Sequence, residues 1–348
     1  VGVIGVASLA ATGMFKVGAP SATLPETTPA NLIAAIQRSD AAGYSGTVVS
    51  HVSLGLPALP GIGSTGTSFT SLLSGSHTVQ VWYGGPDKQR IALLGATDET
   101  DLFHNGRDVW QWNSADLLAV HSVLPEDAQS NERPLDDPAE IATTLTPDAL
   151  ARSAIAALDP TTTVAVKADH NVADRAAYAL VLTPRASTTK VGSVHISIDG
   201  ATKVPLGVQV YARGATSPAI DVAFTSIRFA QPSDRNFTFT PPPGARVRES
   251  RPDLTTTAAP RTKGAGMPHG IQVSGTGWSR VVSVDAAGTS LAKLAEGAVS
   301  KALSPVSGAW GKGRLLDSAL MSVLITSNGR IIAGAVQPAQ LYTVAGKK

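Results

Sequence analysis

For most of its length the chain alternates. From Tyr44 onward, apolar and polar residues follow one another with a period of two. The first half holds "YSGTVVSHVSL", "HTVQVWYG", "QRIALLG", "TDLFHNGRDVWQWN" and "LLAVHSVLP". The second holds "TTTVAVKA", "AAYALVLTP", "GSVHISIDG", "VPLGVQVYA", "AIDVAFTSIRFA" and "NFTFTPPPG". A period of two sends successive side chains to opposite faces of a strand. In "VHISI", Val194, Ile196 and Ile198 share one face, while His195, Ser197 and, just beyond, Asp199 share the other. That pattern predicts a sheet packed on one side and wet on the other. Asn105-Gly106-Arg107-Asp108, between two alternating runs, reads as a hairpin turn. The expected frame is a meander of antiparallel strands.

Two helices interrupt it. The first opens at Thr28 as N-cap with Pro29 at the first helical position, carries Leu32, Ile33 and Ile36, and stops at Gly43. The second follows an acidic, proline-bearing break, "PEDAQSNERPLDDPAE". It starts with Thr146 and Pro147 and runs through Leu150, Ile155 and Leu158. From Ala245 to Pro268 the chain is rich in Arg, Pro and Thr and reads as a linker. Beyond it lie a strand at "WSRVVSVD", a helix with Leu291, Leu294, Ala298, Val299 and Ala302, a hairpin turning at Asn328-Gly329, and a short tail helix. No repeat of a solenoid period is present. The expected division is 1–26 as export segment and tether, 27–247 as the main domain, 248–267 as linker and 268–348 as a small C-terminal α+β module.

Residues Gly61 to Gly66, "GIGSTG", match the G-x-G-x-x-G spacing of a dinucleotide-binding turn. Such a turn needs a strand entering it, a parallel sheet below, and a helix leaving it whose free N–H groups hold the pyrophosphate. Here "LGLPALP" precedes the glycines, and "TSFTSLLSGSHT" follows with at most two helical turns. The match is chance in a glycine-rich loop. The loop itself is unusual, because between Leu54 and Ser76 it carries Leu54, Leu56, Leu59, Ile62, Phe69, Leu72 and Leu73. Long loops are commonly functional or disordered. Two readings stand: a mobile flap over an apolar cavity, or a loop folded onto the core.

Composition narrows the function classes. A net charge of +2 without a long basic run does not supply a nucleic-acid-binding surface. Zero cysteines remove disulfides, Cys–zinc sites, thiol catalysis and a cysteine-borne lipid anchor. The histidines (51, 77, 104, 121, 170, 195 and 269) show neither H-E-x-x-H nor H-x-H spacing. There is no G-x-S-x-G elbow. No catalytic residue, metal ligand or cofactor is expected; a hydrolase would need a Ser, a His and an Asp to meet in a cleft. Asp136-Asp137 reads as a solvated turn or helix start. Few Lys against many Ala, Gly, Arg, Val and Pro fit a GC-rich bacterial genome. Val1 to Phe15 carry no charge before Lys16, the length of a signal-peptide apolar region and short of the roughly 20 residues of a spanning helix. Export by a signal peptide or signal anchor is expected, with a buried helix or strand as the alternative.

Helix, long meander, second helix, further antiparallel strands and a closing "FTFTPPPGARV" together resemble the LolA-like superfamily of lipoprotein carriers, mycobacterial lipid-binding lipoproteins and the sigma-E regulatory protein RseB. The likeness is carried by "LIAAIQRSDAAGYSGTVV" (Leu32 to Val49), "LFHNGRDVWQWN" (Leu102 to Asn113) and "FTFTPPPGARV" (Phe237 to Val247), over residues 28–247. The "SGTVV" opening behind an export segment looks most like RseB-type proteins of actinobacteria. The carriers' arginine and the lipobox cysteine have no counterpart here.

The resemblance implies an α+β fold: a curved, unclosed antiparallel half-barrel whose helices plug the concave face around an apolar cavity, followed by the small C-terminal module. It implies a non-enzymatic protein of the bacterial cell envelope, secreted or anchored to the outer face of the cytoplasmic membrane. The implied ligand is lipid or the acyl chains of a lipoprotein, and burial at roughly 25 cal/mol per Å² makes an acyl chain a strong ligand without a polar anchor. Candidate wall residues below the flap are Trp82, Leu93, Phe103, Trp110 and Trp112, and a plain core role is equally open for each. Trp110 and Trp112 share a strand face, opposite Val109, Gln111 and Asn113. A single-span membrane regulator or a membrane transporter is an implied partner. The alternative is an RseB-like envelope-stress regulator that binds a membrane anti-sigma factor, with lipid as signal and not as cargo.

Overall fold

In the computed structural model the alternation becomes two meanders fused side by side. The described residues are 24–38, 43–56, 69–124, 146–250, 271–285 and 303–347. The first meander runs through β1 (Tyr44–Val52), β2 (Gly75–Tyr83), β3 (Lys88–Leu94), β4 (Glu99–Asn105), β5 (Asp108–Asn113) and β6 (Leu118–Val123). The second runs through β7 (Thr162–Val172), β8 (Arg175–Pro184), β9 (Val191–Asp199), β10 (Pro205–Ala212) and β11 (Pro218–Arg228). β11 pairs antiparallel with β1, and β12 (Arg246–Ser250) adds beyond β6. The result is an open 12-stranded sheet in the order β12-β6-β5-β4-β3-β2-β1-β11-β10-β9-β8-β7. β12 pairs in parallel with β6, whereas the other pairings of this sheet are antiparallel. The β4–β5 turn falls where the sequence placed it, with Gly106 at φ +61° between the paired Asn105 and Asp108.

One face of the sheet carries the helices. In α1 (Pro29–Arg38), the Thr28 hydroxyl accepts the Asn31 N–H at 3.3 Å, and Leu32 and Ile36 are fully buried. In α2 (Pro147–Ala156), Thr146 caps Ala149 in the same manner, and Ala151, Ala154 and Ile155 are buried. Threonine caps followed by proline satisfy orphan N–H groups where the chain must start to coil. These helix residues form one cluster with Tyr178, Leu180, Leu182, Ile196, Ile198 and Val208 of β8, β9 and β10.

The opposite face is covered in part by the connection from β11 to β12. A parallel neighbour needs a crossover, and residues 229–245 supply it. Along the way Asp234 pairs with Lys88 at 2.7 Å, Phe237 is fully buried, and the Arg246 N–H reaches the Leu117 carbonyl at 2.8 Å. Gly84 lies so close to the Phe237 ring that a Cβ there would sit 2.9 Å from it. The strand expected at "NFTFTPPPG" is not formed: Asp234–Asn236 is a single 3₁₀ turn, and the residues after it join no ladder. Pro241, Pro242 and Pro243 have no N–H to donate, so the segment crosses the sheet as a strap.

The C-terminal strands β13 (Ile271–Ser274), β14 (Val281–Asp285), β15 (Ser304–Gly308), β16 (Gly311–Asp317), β17 (Ser322–Thr326) and β18 (Arg330–Gly334) form a second sheet in the order β13-β14-β18-β17-β16-β15. Helix α3 (Pro338–Ala345) packs Leu341 and Val344 onto Val281, Leu324, Ile332 and Val336. The expected turn at Asn328-Gly329 lies between β17 and β18. This sheet is tied to the first. Lys190 pairs with Asp317 at 2.6 Å, the Trp278 indole donates to the Thr162 hydroxyl at 2.9 Å, and Trp278 and Leu320 join the helix-side cluster. β12 extends to Ser250, across the boundary the sequence suggested at 247. The expected export segment through residue 23, "GIGSTG" with Leu59 and Ile62, Asp136-Asp137, the expected linker over residues 251–267 and the helix expected from Leu291 to Ala302 lie outside the described residues.

Candidate functional site

Direct cross-strand partners share a face, so the register assigns each candidate residue a side. Leu93 opposes Val79, and Ile91 opposes both Val81 and Leu102. All five face the helix side and belong to one buried cluster. Into that cluster drops a short 3₁₀ segment, Phe69–Leu73, from the connection between β1 and β2. Phe69 is 0% and Leu72 1% exposed, while Leu73 is half-buried. Leu54 lies elsewhere, packed in the helix-side cluster with Leu320 and holding the Ala319 N–H on its carbonyl at 2.8 Å. Leu56 is half-buried.

Phe69 and Leu72 therefore sit in this apolar cluster like a plug. The plug is imperfectly satisfied. The Ser71 hydroxyl is buried between them without a hydrogen-bond partner among the described residues, and the Ser50 hydroxyl of β1 is in the same condition. Each such group costs about 1–3 kcal/mol, and a 3₁₀ turn of this length has poor hydrogen-bond geometry of its own.

The aromatic candidates stand on the other face. Arg228, Ser45, Trp82, Arg90, Phe103, Trp110, His121 and Glu249 oppose one another in a single row from β11 to β12. Trp112 lies in the next row, opposite Asp101. The wall expected from the sequence is thus split: Leu93, Phe69 and Leu72 come together, and Trp82, Phe103, Trp110 and Trp112 back onto them through the sheet. The tryptophans of β5 do share an environment, as expected. It is the strap: Phe239 packs against Phe103, Trp110 and Trp112 with ring centroids 5.0, 5.4 and 5.8 Å away.

Arg90 is fixed from three sides. Its guanidinium lies 4.7 Å from the Trp82 ring and 4.6 Å from Phe103, and it pairs with Asp101 at 2.7 Å. Asp101 is 1% exposed and leaves one carboxylate oxygen without a partner among the described residues. Burial raises its pKa and Arg90 opposes the shift. The pairing of Arg90 with Asp101 went unread in the sequence, although their places on adjacent strands are visible in it.

Histidine contacts bear on catalysis. His51 meets Ser76 at 2.7 Å, His170 meets Ser197 at 2.8 Å and His195 meets Ser193 at 3.2 Å. His121 places one nitrogen on Asp108 and the other on Glu249, each at 3.0 Å, and stacks on Trp110 at 4.2 Å. In these contacts hydroxyl and carboxylate partners fall on different histidines. Burial first, and Lys167 second, lower the pKa of His195. Among the described residues no group of three or more His, Asp or Glu is placed to hold a metal ion, and no helix is long and apolar enough to cross a membrane.

No family model and no curated protein matches the chain. Solved structures do. The Pseudomonas aeruginosa MucA/MucB complex matches at 15% identity over 91% of this chain and 96% of that one, with a TM-score of 0.46. A LolA superfamily protein from Nitrosomonas europaea matches at 12% identity over 62% and 99%, with a TM-score of 0.22. A DUF1329 family protein from Desulfovibrio piger matches at 11% identity over 60% and 95%, with a TM-score of 0.24. The chain is similar to MucB and to LolA-like proteins. The resemblance read from residues 28–247 thus recurs among solved structures, and at these scores function has to be read from the chain's own residues.

Proposed function

We propose that the chain is a non-enzymatic binding protein of the bacterial cell envelope. Its helix face takes up an acyl chain of a lipid or lipoprotein in the volume that Phe69 and Leu72 fill when the site is empty. The observation that carries this reading is the plug: two fully buried apolar side chains on an irregular segment, with a stranded hydroxyl between them. An incoming chain exchanges apolar contact for apolar contact and frees Ser71 to reach water. In this reading the large sheet is the half-barrel, α1 and α2 stopper its concave side, and residues 268–348 form a small second module packed against it.

The test is native mass spectrometry of the full chain purified from a bacterial host, followed by solvent extraction. An added mass that extracts as acylated lipid, and is lost when Leu93 of that cluster becomes Asp, supports the proposal. A clean unliganded mass after incubation with membranes overturns it. The second reading, a regulator whose main contact is a membrane anti-sigma factor, predicts capture of a single-span membrane protein by lipid-free protein.

A further inference from the structure

The face opposite the plug holds a second candidate site. Its row Arg228–Ser45–Trp82 and the neighbouring row Ser226–Thr47–Gln80 form a groove of about 310 Å³ across β11, β1 and β2. Ser45 and Thr47 are short, and Trp82 and Arg228 stand on either side as walls. A β-bulge between Thr47 and Val48 shapes it. The bulge leaves Thr225 without an opposite residue, so both Thr225 and Ser226 are exposed, side by side. Bulges re-aim side chains in this way, often beside functional sites.

The chemistry of the lining is specific. Three hydroxyls and one amide can donate or accept, and none is charged. Arg228 supplies the one formal charge, and no carboxylate among the described residues pairs with it. Two other arginines of this sheet are neutralised: Arg90 by Asp101 and Arg175 by Asp199. One wall is held in place, because Arg90 covers one face of the Trp82 ring and is itself pinned by Asp101. An indole wall, neutral hydroxyls and a lone guanidinium suit a ring bearing hydroxyls and one oxyanion. The volume falls at the low end of the range for small-molecule sites.

We propose that this groove binds a phosphorylated polyol, with the phosphate on Arg228 and the hydroxylated ring against Trp82. The ligand can be free or borne on a lipid headgroup, and the site does not depend on acyl binding at the opposite face.

The test titrates the full chain with myo-inositol 1-phosphate, following the Trp82 indole resonance, assigned by its absence in Trp82→Phe. Free myo-inositol and inorganic phosphate serve as partial ligands. The Trp82 signal is expected to shift with inositol 1-phosphate, and Arg228→Gln, an exposed substitution that leaves thermal unfolding unchanged, weakens binding by about tenfold or more. Raising the salt concentration weakens it as well. Vesicles containing phosphatidylinositol that bind more tightly than the free headgroup, with the same dependence on Arg228, assign the ligand to a lipid surface. Equal affinity assigns it to a soluble metabolite, and both support the site. No shift at Trp82 with any probe, or an affinity unchanged by Arg228→Gln, overturns the proposal. Inorganic phosphate binding as tightly as the polyol phosphate overturns the part assigned to the ring.

Discussion

If Phe69 and Leu72 occupy the ligand's volume, shortening the plug should improve binding. Leu72 is 1% exposed within the cluster formed by Val79, Val81, Ile91, Leu93 and Leu102. Leu→Ala at such a site costs about 2.7 kcal/mol at the low end of measured series. That cost falls on the closed state alone, because in the open state residue 72 has already left the cluster. The apparent dissociation constant equals the intrinsic one divided by the fraction of molecules that are open. A loss of about 2.7 kcal/mol from the closed state therefore raises apparent affinity by up to roughly 100-fold, at about 1.4 kcal/mol per tenfold. The gain ends once the open form predominates. Leu93→Ala is the control, since Leu93 belongs to β3 and stays in the cluster in both states; it should weaken binding. Titration with a fluorescent fatty acid, read by emission on transfer from water, measures both variants. Tighter binding by Leu72→Ala with weaker binding by Leu93→Ala fits displacement. Equal losses in both would refute the exchange and make Phe69 and Leu72 ordinary core residues.

Arg90→Met leaves the buried Asp101 carboxylate without its cation and should destabilise the protein by about 3–5 kcal/mol, with Asp101→Asn in the same chain restoring most of the loss in urea unfolding. Asp101 also predicts a pH slope. Because burial raises its folded-state pKa, its contribution is fully present below an unfolded value of about 3.9 and is lost as pH rises through the folded value. Asp101→Asn should remove that fall, seen in urea midpoints taken from about pH 3.5 upward. Phe239→Ala uncovers Phe103, Trp110 and Trp112 and should cost roughly 1.5–3 kcal/mol, with tryptophan emission shifted to the red. Trp278→Phe deletes the indole hydrogen bond to Thr162 at the junction of the two sheets. A loss of about 1 kcal/mol, read as earlier proteolysis of the C-terminal strands, is expected.

The strands were legible because a period of two is a local property, and so were the starts of α1 and α2, where Thr28-Pro29 and Thr146-Pro147 are capping chemistry written in adjacent residues. Which face a residue occupies is legible only as a relation. Alternation places Trp110 and Trp112 together, and their pairing with His121 and Ala119 bears that out, but nothing in β5 says what covers that side. Two distant segments decide it. The plug at 69–73 takes one face, and the strap ending at Phe239 takes the other. The strap was misread because "FTFT" alternates as a strand does, and only the three prolines after it deny the ladder. β12 was missed for the converse reason: "RVRES" is fully exposed and has no apolar period, and it is a strand because β6 offers an unpaired edge. The bulge in β11 hides in the same way, since "DVAFTSIRF" gives no local sign that Thr225 will have no opposite residue on β1. A sheet covered differently on its two faces carries large apolar residues on both, so alternation loses its inside and its outside at β2 to β5. There the groove and the plug lie back to back, sharing β2 yet facing opposite ways: Val79 and Val81 point to the plug, Gln80 and Trp82 to the groove.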